Sequence, residues 1–220
     1  MFNIIKSKDQ KIKIRSTKEL EIRKYEFLSL CKILDKLKIK YFLLGGVLLG
    51  AIREKGFIPW DWDVEICVYS EEIIPKVDRL LLEISKTEFV IIKHIKKSSS
   101  FKIDLCGKLK SSVTKYTIMG WCHDKKKGIF WRNTLKIPDH FIINMKKIEF
   151  YNKHHFAPYP PKNYLSHQYG NWEKPMQTSN KYKYLTKKYY GRNVFIDQIL
   201  KALYFIKKSS KIFFKLNKNK

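Results

Sequence analysis

Residues 41–68, YFLLGGVLLGAIREKGFIPWDWDVEICV, decide the fold. Near the end of this stretch Asp61, Asp63 and Glu65 alternate with Trp62, Val64 and Ile66. Alternate residues of an extended strand point to the same face, so carboxylates are expected along one side and apolar groups along the other. A row of like charges repels itself unless a cation sits among the oxygens, and hard carboxylate oxygens suit a divalent ion. The plain alternative is a surface strand whose acids face water. Upstream, the apolar run 41–44 ends in Gly45-Gly46 and continues into the helix-like VLLGAIRE. Glycine lets backbone N–H groups approach phosphate oxygens closely, and a helix N-terminus favours negative charge. A strand, a glycine turn, a helix start and a strand with spaced acids form a layout for holding a phosphate chain and its metal. Arg53 and Lys55 follow on the helix as candidate phosphate contacts.

Working outward, Ser16 and Glu19 have capping-box spacing and predict a helix to about Leu37, with Phe27, Cys31, Leu34 and Leu37 on its buried face. Residues 71–84 read as a second helix with Pro75 in its first turn. Residues 89–94 and 101–106 read as strands around a serine turn, and 116–121, 128–131 and 147–151 as shorter ones. Asp104 is a lone acid within an apolar strand, a costly place unless paired or metal-bound. A neighbouring strand is expected to bring it to the same cation as Asp61, Asp63 and Glu65, and it is the preferred candidate for taking a hydroxyl proton. Pro160 or Pro161 is expected to open a helix carrying Tyr164 and Tyr169. With Trp172 these make a candidate aromatic cage for a cationic group. His154 and His155 are expected at the surface. Residues 193–216 show a further helical pattern within a basic tail, 181–220.

The chain of 220 residues carries 46 Lys and Arg against 20 Asp and Glu, a formal charge of +26. That excess raises nucleic acid, anionic lipid or a phosphorylated substrate as partner, although the lysines are scattered and no motif reads bases. The four cysteines are isolated, with no C-x-x-C pair, and suggest neither a zinc site nor a disulfide framework. No signal peptide or membrane-spanning run is evident, so a cytoplasmic protein is expected.

GGVLLGAIREKGFIPWDWDVEI resembles the signature of the LicD/fukutin-type phosphotransferases, roughly GTLLGAxRHxGxIPWDDDxDI, and KIDLC and PPKNYLSHQYGNWEKP are similar to later segments of that family. Val47, Glu54, Trp62, Glu65 and Asn171 depart from its usual residues. The resemblance implies an α+β fold: a nucleotidyltransferase-like core with a mixed β-sheet flanked by helices. Here it would form one domain with its core at about 16–176 and a basic helical extension. It also implies transfer of a phosphorylated alcohol, such as phosphocholine or ribitol phosphate, from a CDP-activated donor to a glycan hydroxyl. Mg²⁺ or Mn²⁺ is the implied cofactor, held by Asp61, Asp63, Glu65 and Asp104. Asp61, Asp63 and Asp104 are the implied catalytic residues and Gly45 and Gly46 the phosphate-binding ones. A lipid-linked acceptor would bring the basic tail against an anionic membrane at its inner face; no specific nucleic acid is expected. Two other readings stand beside it: a nucleotidyltransferase that releases pyrophosphate from an NTP, and a basic nucleic-acid-binding protein.

Overall fold

The computed structural model describes residues 12–107, 114–178 and 180–190. The fold is α+β, built on a mixed sheet of nine strands with helices on its faces. The first helix, α1 (Thr17–Lys36), starts where the capping box places it: Ser16 Oγ accepts from the Glu19 N–H, and Glu19 Oε2 accepts from the Ser16 N–H at 2.9 Å. Its buried face carries Phe27, Leu30, Cys31 and Leu34. Strand β1 (Tyr41–Phe42) leads through the Gly-Gly turn into α2 (Gly45–Leu49), which continues as one wider π-helical turn to Glu54.

Strand β2 (Asp63–Tyr69) is the centre of the sheet. It runs antiparallel to β1 and parallel to β5 (Lys115–Asp124). Beyond β5 lie β4 (Lys102–Gly107) and the edge strand β3 (Phe89–Ile95); beyond β1 lie β9 (Lys153–Ala157) and β8 (Lys146–Phe150). The far end of β5 leaves the main sheet to pair with β6 (Ile129–Arg132), which pairs in turn with β7 (Leu135–Pro138). The pleat separates two chemistries. Val64 and Ile66 share a face with Tyr116, Ile118, Ile103 and Leu105, all fully buried toward α1, where the Tyr116 hydroxyl donates to Glu26 Oε2 at 2.6 Å. Asp63 and Glu65 share the opposite face with Lys115, Thr117, Lys102 and Asp104.

Several expectations are modified. Residues 70–85 are not one helix but α3 (Ser70–Ile73), a 3₁₀ turn (Ile74–Lys76) and α4 (Val77–Ser85). Pro75 lies in the break because its missing N–H removes a helical hydrogen bond and the tighter turn bridges the gap. Strands β7 and β9 add to those that the sequence pattern predicts. β9 forms by hairpin closure on β8 through Tyr151 and Asn152, both at positive φ, a turn that does not depend on the usual Asn-Gly pair. His155, expected at the surface, is buried in β9 with its Nδ1 3.2 Å from the Tyr41 hydroxyl and its Nε2 3.2 Å from the Phe150 carbonyl. After α5 (Asp139–Ile143), α6 (Pro161–Tyr169) begins with Pro161 in its first turn, as the missing N–H allows, and short helices α7 (Lys181–Tyr184) and α8 (Lys187–Tyr190) follow. The helix expected over 193–216 lies outside the described residues. Among the described residues no helix is long and apolar enough to cross a membrane.

Candidate active site

The acid row begins in the loop that feeds β2. The Asp61 N–H donates to the Ile58 carbonyl at 3.1 Å, and the Asp61 carboxylate accepts from the backbone N–H groups of Trp62 and Asp63. This places the carboxylate directly on the glycine turn. A Cβ at Gly46 would sit 1.9 Å from Asp61 Oδ2, so the carboxylate would have to move to admit it. Gly45 adopts φ +59°, and a Cβ there would lie 3.3 Å from Glu65 Oε2 and 3.8 Å from the Tyr169 hydroxyl. The two glycines are thus required for different reasons, one by its left-handed backbone and the other by the carboxylate against it. No side chain caps the N-terminus of α2.

The electrostatics follow from crowding. Burial pushes the Asp61 carboxyl above its ordinary range, and the charges of Arg23 and Arg15 only partly oppose it. Burial, then repulsion from Glu65 and Asp61, pushes Asp63 up to about 8, with Lys115 and Arg23 opposing. Glu65 is raised by burial and by Asp61, against the charges of Arg132, Lys102 and Lys115. Burial is the main cause of all three shifts, with mutual repulsion added to it. Carboxylate oxygens are the donor type that a hard divalent cation prefers. Among the described residues, no three His, Cys, Asp or Glu side chains gather closely enough to hold a metal ion between them. The row is spread between Gly46 and Gly45.

These side chains floor a cavity of about 780 Å³. Gly45, Gly46, Arg53, Tyr169 and Trp172 also line it. Arg53 bridges its wall, donating from Nη1 to the Trp172 carbonyl at 2.7 Å and from Nε to Glu54 at 2.7 Å. The Trp172 indole N–H donates to Ser166 Oγ at 3.1 Å, which fixes the ring against α6. Lys55, exposed at a left-handed C-cap, is not part of the lining, and neither is Tyr164, which is fully buried against Phe141.

Asp104 lies on the same face as the row, but β5 stands between β4 and β2. Both Asp104 and Glu65 register with Thr117, from opposite sides. Two inter-strand steps separate their backbones by about 10 Å. The Asp104 carboxylate accepts from Thr117 Oγ1 at 2.8 Å and pairs with Lys102 at 2.8 Å and Lys115 at 3.4 Å. Burial works to raise this carboxyl, but the bonds from Lys102 and Thr117 and the two lysine charges together hold it below the ordinary range. It does not line the cavity.

The structure adds residues that sequence patterning did not single out. Arg15 and Arg23, before and within α1, both bond the Asp61 carbonyl. The charge of Arg132, buried at the end of β6, acts on Glu65. Gln168, Tyr184 and Tyr190 close the cavity from beyond the acid row. Only Gln168 had a local signal, its place within the segment before Trp172; the others are assembled from distant elements.

Residues 38–160 match the family model for the LicD/FKTN/FKRP nucleotidyltransferase domain. An uncharacterised protein of Rickettsia prowazekii is 30% identical over 149 residues, 65% of this chain and 52% of that protein. The lipopolysaccharide cholinephosphotransferase LicD of Haemophilus influenzae is 48% identical over 52 residues, 24% of this chain and 18% of that enzyme. Human ribitol 5-phosphate transferase FKRP is 44% identical over 41 residues, 19% of this chain and 8% of that enzyme. The matched part of the chain thus spans about half the length of the Rickettsia relative and far less of the two named transferases.

Proposed function

The chain belongs to the LicD/FKTN/FKRP nucleotidyltransferase-domain family, and from that premise we propose that it transfers a phosphorylated alcohol from a CDP-activated donor to a sugar hydroxyl, releasing CMP. The observation that carries this reading is the contact between the acid row and the glycine turn: Asp61 lies on Gly46 and Glu65 lies beside Gly45, at the floor of a cavity large enough for a nucleotide-linked donor.

In this reading Asp61, Asp63 and Glu65 hold a divalent cation. When bound, that cation supplies the positive charge that offsets the donor's phosphates and the phosphate of the leaving nucleotide. Backbone N–H groups at the uncapped start of α2 face the phosphate chain. Arg53 and Arg15, both in the lining, add fixed positive charge. Asp63, on the cavity lining beside Asp61 and Glu65, is the carboxylate assigned to accept the acceptor hydroxyl's proton. Tyr169, Tyr184, Tyr190 and Trp172 exclude water and give the alcohol an aromatic surface. Asp104 takes a different part from the one expected for it: it holds Lys102 and Lys115 beside the row.

The test is to incubate the protein with Mg²⁺, a hexose acceptor and, in parallel, CDP-choline, CDP-ethanolamine, CDP-glycerol or CDP-ribitol, and to quantify CMP. CMP release by the wild type and at least a ~100-fold loss in Asp63→Asn is the expected result. Pyrophosphate release from an NTP, with no CMP from any CDP-alcohol, would overturn it.

A further inference from the structure

The loop that presents the acid row is held from behind by two arginines outside the segment matching the family model. Arg23 is fully buried in α1, and its Nη1 donates to the Asp61 carbonyl at 3.0 Å. Arg15, which precedes the N-cap of α1, donates to the same carbonyl from Nη1 and to the Trp62 carbonyl from Nη2 at 3.1 Å. The Arg15 backbone N–H also donates to the Pro59 carbonyl at 2.9 Å.

This arrangement is costly. Burying a guanidinium is strongly unfavourable, and the attraction of Asp61 and Asp63 offsets only part of the desolvation of Arg23. The Nε and Nη2 of Arg23 find no hydrogen-bond partner among the described residues, and the Phe57 ring is its neighbour at 5.7 Å. The two arginines also lie close enough to repel each other. A backbone carbonyl oxygen carries two lone pairs, and at Asp61 both are taken by guanidinium donors, one from Arg15 and one from Arg23. Two charged donors converging on one oxygen fix the orientation of the Asp61–Trp62 peptide plane. The Asp61 carboxylate accepts from the N–H groups of Trp62 and Asp63, so both the carbonyl and the carboxylate of Asp61 are held by polar partners.

We infer that Arg15 and Arg23 form a backbone clamp that aims the carboxylates of Asp61 and Asp63 into the cavity, acting as positioning residues through the loop rather than touching substrate through this contact. The capping box sets the first member in place, since Ser16 and Glu19 fix the start of α1 immediately after Arg15. The inference rests on the reading that the acid row holds a divalent cation, and its test separates the two.

Full-length wild type, Arg15→Gln, Arg15→Lys and Arg23→Lys are compared by two measurements: amide hydrogen exchange over residues 59–64, and binding of Mn²⁺ alone followed by water proton relaxation. Arg15→Gln is the primary variant because Arg15 is half-buried and its loss leaves the core intact. Expected are at least ~10-fold faster exchange at residues 61–63, unchanged protection across the middle of α1, and at least ~5-fold weaker Mn²⁺ binding, with partial recovery in Arg15→Lys. Removing a cation near carboxylates by charge alone would strengthen Mn²⁺ binding. Tighter binding with wild-type exchange therefore overturns the clamp, as does faster exchange spread evenly over the whole chain. A wild type that binds no Mn²⁺ refutes the cation reading, while the clamp is still decided by exchange at residues 61–63.

Discussion

Replacing Gly46 by alanine tests the geometry of the site with a single methyl group. Gly46 has no positive φ and lies in the first turn of α2, so in an open helix the change would stabilise by up to about 1 kcal/mol. Here the added Cβ meets Asp61 Oδ2 at 1.9 Å and the Asp61 carboxyl carbon at 3.1 Å. To reach ordinary contact the oxygen must retreat by about 1.5 Å, from a carboxylate tied to the Trp62 and Asp63 N–H groups. Overpacking of this kind costs ~1–3 kcal/mol, which the helix term partly offsets. The net loss is up to ~3 kcal/mol, or a Tm decrease of at most about 12 °C for a chain of this size. A displacement of ~1 Å at a reacting centre costs ~100-fold in rate, so turnover is expected to fall at least that far while the protein remains folded. The assay pairs a circular-dichroism melt with CMP release at 25 °C. Gly50→Ala serves as the contrast, because its Cβ would strike the Gly56 carbonyl at 2.5 Å and no carboxylate. It should lose more stability for each decade of activity. Wild-type turnover in Gly46→Ala, or a loss no larger than the unfolded fraction, would refute the placement of Asp61 on the turn.

Other predictions concern separate parts of the molecule. Burial depresses the His155 pKa to about 4, below the ordinary 6.5, and in the neutral ring Nε2 donates to the Phe150 carbonyl while Nδ1 accepts from Tyr41. The unfolded chain takes up a proton that the folded one refuses, so stability should decline as pH falls from about 6.5 toward 4, by on the order of 2 kcal/mol; urea midpoints that change equally with pH in wild type and His155→Gln would exclude this. Asp104→Asn should reduce turnover by only about 10-fold, since its carboxylate restrains Lys102 and Lys115, whereas a loss beyond ~1000-fold would return it to the reacting centre. Arg53→Met should raise the donor KM by about 10-fold, with Lys55→Met near wild type because Lys55 is outside the cavity; equal effects would count against the phosphate assignment.

Much of the architecture was legible because it is written in local patterns. The alternation through Asp63, Val64, Glu65 and Ile66 sets which side of β2 is charged, and the register with β5 leaves that alternation intact. The capping box fixes where α1 begins, and Pro161 where α6 begins. Pro75 lies in the 3₁₀ break between two helices and not in the first turn of one, because a proline signals a disruption without stating whether the chain restarts as one helix or two. The apolar pattern around Asp104 marks its strand but not that strand's neighbour; β5, from later in the chain, inserts between β4 and β2.

By itself the sequence determined the chemistry available: a glycine pair, a spaced row of acids and the pleat that puts those acids on one face. These depend on backbone period and side-chain type, which short stretches carry. Only the tertiary structure decided which charges meet that row. Arg15 reaches it from just before α1, Arg23 from within α1 and Arg132 from β6, and Asp104 is kept from it by one strand and bound to two lysines. Electrostatic interaction depends on distance through space, and that distance is set by strand order and helix docking rather than by neighbourhood along the chain.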